Sequence, residues 1–121
     1  MQYTHLGRSG LRVSRLALGT MNFGQYTAEP EAHAILDRAL ELGINFVDTA
    51  NMYGGTAGPG ATEEIIGRWF AKGGERRERT VIATKLYNSM KGFGRTDNWP
   101  NTTHLSALHI RAACDESLRR L

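Results

Sequence analysis

The stretch FVDTANMYG ends an apolar run in an acid, Asp48, and follows it closely with a phenol, Tyr53; farther on, VIATK ends in an amine, Lys85. A buried strand has little use for a carboxylate unless a partner meets it at the strand's end. A free phenol, with a pKa near ~10, is a poor acid at neutral pH. An ammonium group beside a phenol favours the phenolate and so eases release of its proton. A carboxylate beside that ammonium keeps it charged and oriented. Asp48, Lys85 and Tyr53 are therefore the residue types of a supported general acid, with Tyr53 as the donor. Taken singly, each has an ordinary role: Asp48 capping a turn, Tyr53 covering a helix end, Lys85 as a solvated strand end. Their placement at matching strand ends is what points to a site.

The elements that must bring them together follow from the pattern. YTHLGRSGLRVS has turn residues between short alternating pieces and reads as a β-hairpin. RLALGTMNFG gives a strand ending at Gly19 and then a loop. Ala32, Ile35, Leu36, Ala39 and Leu40 recur at helical spacing, with Pro30 suited to the first turn and Gly43 just past the end. INFVDT is a second strand, and the glycine-rich GGTAGPG a loop. Thr62 is placed to cap a second helix, with Glu63 and Glu64 at the positive end of its dipole and Ile65, Ile66, Trp69 and Phe70 on its buried face. TVIATK is a third strand. A long loop over LYNSMKGFGRTDNWPNTTH follows, and loops of that length are more often functional than not. A last helix would place Ile110, Cys114, Ser117, Leu118 and Leu121 on one face. Repeated strand–helix units predict a parallel sheet with its ligand site at the carboxyl ends of the strands.

The composition narrows the function classes. The chain has 121 residues, 40% hydrophobic and 22% charged, as expected of one globular domain with a real core. Its net charge is only +3, and the basic runs KGGERRER and SLRRL read as solvated helix ends, without the clustered basic stripe of a nucleic-acid binder. The single Cys114 excludes an intrachain disulfide and reads as a small apolar residue. The N-terminus lacks the apolar core of a signal peptide, and no apolar run approaches the ~18 residues of a membrane span. The expected setting is cytoplasmic, with neither membrane nor nucleic acid as partner and no metal.

LGTMNFG, GINFVDTANMYG, ATEEIIG, VIATK and HIRAACDESLRRL, in this order, resemble the N-terminal part of an aldo-keto reductase. The resemblance runs from LGRSGLRVS to the last residue. It implies an α/β fold: the N-terminal portion of a (β/α)8 TIM barrel, about three β-α units preceded by a hairpin that closes the bottom. It also implies hydride transfer from NADPH to the carbonyl of a small aldehyde or ketone. Carried over residue by residue, Asp48 matches the catalytic aspartate, Tyr53 the proton-donating tyrosine and Lys85 the lysine that tunes it. Gly19, Thr20 and Met21 match a stretch beside the nicotinamide, with Asp48 also at the cofactor. Tyr87 and Trp99 fall in a loop that shapes the substrate pocket in such proteins.

The resemblance also sets a limit. The family's fourth catalytic residue is a histidine at the end of the fourth strand, which is expected just after Leu121. None of His5, His33, His104 or His109 takes that position, and His109 reads as a surface or packing residue. The segments that grip the cofactor's phosphates belong to the family's C-terminal half, and a full barrel typically has ~250 residues. Residues 1–121 are thus expected to be a partial barrel domain, truncated before the fourth strand and inactive alone. The alternative expectation is a non-catalytic, self-associating or regulatory subunit, a homo-oligomer formed through open sheet edges. Potassium channel beta subunits show that similar barrels serve that way.

Overall fold

The computed structural model describes residues 1–91 and 99–121. Its first two strands, β1 (Tyr3–His5) and β2 (Arg12–Ser14), form the antiparallel hairpin expected from the turn residues between them. A parallel sheet then runs in the order β3 (Leu18–Gly19), β4 (Phe46–Asp48), β5 (Val81–Ala83). Between the strands lie helices α1 (Glu29–Glu41) and α2 (Ala61–Phe70), and α3 (Ala107–Arg120) ends the chain. The central part of the long loop expected after Lys85, residues 92–98, lies outside the described residues.

Strand alternation and helical period converge on one core. Val47 turns towards the helices and is buried, whereas its neighbours Phe46 and Asp48 are only partly covered. Around Val47 gather Phe23, Ala32 and Leu36, together with Ile65, Ile66, Trp69 and Phe70 of α2. Burial of Leu36 and of Ile66 stabilises the fold by about 1.5–3 kcal/mol each. The hairpin belongs to the amino-terminal edge of this sheet. Asn45, just before β4, accepts the Ser14 amide at 2.7 Å and donates to the Arg12 carbonyl at 3.1 Å, while the Tyr3 hydroxyl donates to the Gly43 carbonyl.

Three expectations are corrected. Thr62 does not cap α2: the cap position is Gly60, in the left-handed region at φ 92°, and no side chain bonds there. Thr62 sits inside the first turn, where its hydroxyl donates to the Phe23 carbonyl at 2.7 Å. The packed face of α3 carries His109, Ala113 and Ser117, whereas Ile110, Cys114 and Leu118 are exposed. The two helices approach closely at the end of α3: a Cβ on Gly67 of α2 would lie 1.9 Å from the Arg120 carbonyl oxygen, so they meet there at the backbone, and that approach sets which face of α3 is covered. The SLRRL run is not wholly solvated either, since Arg120 is largely covered and pairs with Glu63.

Surface charges bind α1 to α2. Arg68 donates both Nε and a terminal nitrogen to the two oxygens of Glu29, at 2.8 and 2.9 Å. Those hydrogen bonds hold the Glu29 carboxyl below its ordinary value, against the opposing effect of burial. A carboxyl depressed on folding contributes stability that is present above its unfolded pKa and is lost as pH falls through the folded value. Arg68→Met is therefore expected to move the acid unfolding midpoint, followed by circular dichroism, to higher pH. The effect is small, under about 1 kcal/mol, because both side chains are partly solvated. An unmoved midpoint would show the pair to be without consequence.

Candidate active site

Parallel register sets the site. Gly19 pairs with Asp48 and Asp48 with Ala83, so the three strands end level with one another. Lys85 lies two residues past Ala83, on the same side of the chain by strand alternation and therefore beside Asp48. Its Nζ donates to the Asp48 carboxylate at 2.8 Å, to the Thr49 carbonyl at 2.7 Å and to the Tyr53 hydroxyl at 3.4 Å. An ammonium has three protons, and each finds an acceptor.

Tyr53 is fixed by the main chain rather than by its ring. Its amide donates to the Ala50 carbonyl, and its carbonyl accepts the Thr62 amide at the start of α2. The chain then turns sharply at Gly54, whose φ of 147° and whose Cβ position, 2.0 Å from the Gly58 carbonyl oxygen, admit no side chain. That turn returns the loop to α2 and leaves the Tyr53 ring 5.0 Å from the Lys85 nitrogen. Because the phenol oxygen accepts from Lys85, its own proton is free to be directed elsewhere.

Burial alone would push the Lys85 ammonium down, but hydrogen bonds to Asp48 and Tyr53 overcome this and raise it above its ordinary value. The amine is therefore charged throughout the neutral range. The group remains accessible, with Lys85 and Asp48 side chains about half covered.

Thr20 is completely buried, its hydroxyl donating to the Asp48 carbonyl at 3.0 Å. Gly19 has nothing within 4 Å of where a Cβ would stand. Met21 is 60% exposed and lines an open alcove of about 340 Å³ with Gln25, Met52, Tyr53 and Pro59. Tyr87 and Trp99 are not among those lining residues. Tyr87 packs edge-on against His104, and Trp99 is 78% exposed. Sequence reasoning did not single out Met52, which accepts a hydrogen bond from Asn88 on its sulfur, or the buried role of Glu63. For Glu63 a signal existed: it precedes Ile66 and Phe70 at helical spacing and so falls on the buried stripe.

The described residues thus form a parallel α/β segment with an acid, a lysine and a tyrosine gathered at the carboxyl edge of its sheet. The sequence pattern of the Aldo/keto reductase family matches residues 15–121, and the chain belongs to that family. The family implies a (β/α)8 barrel, of which the structure has a hairpin, three parallel strands and three α-helices among the described residues. The chain is 53% identical to the uncharacterized oxidoreductase YrpG of Bacillus subtilis, with all of this chain and 36% of that protein covered. It is 40% identical to a probable voltage-gated potassium channel subunit beta of Oryza sativa, covering 34% of it, and 34% identical to versiconal hemiacetal acetate reductase of Aspergillus parasiticus, covering 39%. The chain thus spans little more than a third of the length of these relatives. No helix among the described residues is long and apolar enough to cross a membrane.

Proposed function

We propose that this chain supplies the proton-donating half of an NADP(H)-dependent carbonyl reductase, acting on small aldehydes or ketones. The observation that carries the reading is the Lys85 ammonium, held at once by the Asp48 carboxylate and against the Tyr53 hydroxyl. Tyr53 gives its proton to the carbonyl oxygen as that oxygen gains negative charge. Lys85, kept charged, stabilises the phenolate left behind, and Asp48 fixes the lysine. NADPH, when bound, supplies the hydride that reduces the carbonyl carbon.

The residues present suit such a cofactor. The bare edge at Gly19 leaves room for a flat ring that Gly19, Met21 and Asp48 would flank, while Thr20, expected beside it, is buried beneath and holds the Asp48 carbonyl instead. The apolar alcove next to Tyr53 suits the body of a small carbonyl compound, and Tyr87 and Trp99 would enter its wall only if their loop packs differently in the whole protein. In this reading the domain is part of a barrel, and the catalytic histidine and phosphate-gripping segments that the resemblance implies are not among residues 1–121. By itself it would orient the proton donor but not turn over. One relative is named as a potassium channel subunit, which keeps a non-catalytic role in view; the intact Asp48–Lys85–Tyr53 group favours the reductase here.

The test is a chimera in which this chain replaces the matching segment of the Bacillus subtilis relative. With NADPH deuterated at the transferable position, deuterium is expected on the carbinol carbon of the product. The 121-residue chain alone should give none. A chimera that folds, binds NADPH and transfers no label to any of a panel of aldehydes and ketones would sink the reading.

A further inference from the structure

Lys85 stands beyond the last paired residue of its strand, since the ladder with β4 ends at Ala83. What fixes the chain past that point is therefore a question of its own. One tie is the Lys85 carbonyl, which accepts the Asn51 amide at 3.0 Å. The other is Thr84. Its hydroxyl donates to Glu63 Oε1 at 2.6 Å, although the residue is otherwise exposed. Glu63 is 0% exposed, and its second oxygen accepts Nε of Arg120 at 2.7 Å.

Successive side chains of an extended strand point to opposite sides. A hold on the Thr84 side chain towards α2 consequently turns the Lys85 side chain to the other side, over Asp48. A wholly buried carboxylate is costly unless its oxygens are satisfied, and the two partners of Glu63 lie on two different elements. One is the end of β5, and the other is the last turn of α3.

We propose that Glu63 is a positioning residue for Lys85, fixing the end of β5 through the Thr84 hydroxyl and making that hold depend on the docking of α3 through Arg120. The site is then only as well ordered as the α2–α3 contact, where Gly67 meets the Arg120 backbone. The proposal rests on the site read above for its meaning in catalysis, but its test requires no turnover.

The chain has three lysines, Lys72, Lys85 and Lys91, so side-chain nitrogen labelling gives a spectrum that can be assigned with a Lys85→Arg control. A hydrogen-bonded ammonium exchanges its protons slowly. The Lys85 signal is expected to be protected near neutral pH, with Lys72 as an internal reference. Thr84→Val removes the hydroxyl while keeping shape and leaving the Glu63–Arg120 pair. It should speed Lys85 exchange several-fold and move its titration down towards that of an ordinary lysine, with Lys72 unchanged. Thr84→Ser should restore both, and Thr84→Ala serves as the second variant if valine is not accommodated. A folded Thr84→Val or Thr84→Ala chain whose Lys85 exchange and titration match the parent would overturn the proposal.

Discussion

Replacing Tyr53 with phenylalanine in the chimera is expected to lower kcat for carbonyl reduction by ~10²–10⁴-fold, the range supplied by a positioned general acid. The substitution removes one oxygen and leaves the ring in place. The backbone bonds that set Tyr53, from its amide to Ala50 and from Thr62 to its carbonyl, do not involve the hydroxyl. The fold and the alcove beside the ring should therefore survive. What is lost is the proton that must reach the carbonyl oxygen in the transition state. An interaction made only in the transition state lowers kcat and kcat/KM together while leaving KM little changed. At ~1.4 kcal/mol per tenfold in rate, the loss corresponds to about 3–5 kcal/mol. The Lys85 ammonium loses one of its three acceptors but keeps Asp48 and Thr49, so it should stay in position. Steady-state kinetics on a single aldehyde decide the matter. A Tyr53→Phe variant within a few-fold of the parent would remove Tyr53 from the role of acid.

The second large effect concerns stability. Glu63→Ala is expected to destabilise the chain by ~3–5 kcal/mol, the range for removing one partner of a buried ion pair. The cost is large because Arg120, with its side chain only 15% exposed, would keep its charge but lose the carboxylate at 2.7 Å. The Thr84 hydroxyl loses its acceptor as well. Exposed pairs such as Arg38–Glu41, both about two-thirds solvated, should by contrast change stability by less than about 1 kcal/mol when broken. The comparison variant is Glu63→Leu with Arg120→Leu, which removes both charges from the contact. It should be less destabilised than the sum of the single changes, because neither charge is left behind. Urea unfolding of the parent, Glu63→Leu, Arg120→Leu and the double variant checks this, with Glu63→Ala measured alongside. Additive single and double variants would mean that Glu63 and Arg120 do not depend on each other.

Much of the local structure was legible because it depends on period and on neighbours in sequence. The α1 stripe of Ala32, Leu36 and Ala39 is buried as its spacing predicts, and Ile65, Ile66, Trp69 and Phe70 do the same for α2. The hairpin and the parallel strands also stand where their turn residues and β-branched runs place them. Legibility failed where a residue's surroundings came from a distant element. Glu63 read only as an acid at the positive end of the α2 dipole, yet it is also the anchor of a buried pair, because Arg120 and Thr84 reach it only once three elements have packed. The face of α3 was misread for a related reason. Ser117 and Leu121 are covered as the period predicts, but Ile110, Cys114 and Leu118 are exposed and the buried face takes His109 and Ala113 in their place, since α3 is set by its close approach to Gly67 of α2 at Arg120.

The sequence by itself determined which groups are available and roughly where each lies along its strand: Asp48 and Lys85 at strand ends and Tyr53 in the following loop. These are properties of residue type and of alternation, which need no partner. Only the tertiary structure decided that the groups meet, since the 2.8 Å contact of Lys85 with Asp48 depends on parallel register between β4 and β5. The direction of Tyr53 likewise depends on a turn at Gly54 that no other residue could make. Register and close approach are set by the packing of elements far apart in the chain, and there the distances among Asp48, Lys85 and Tyr53 are fixed.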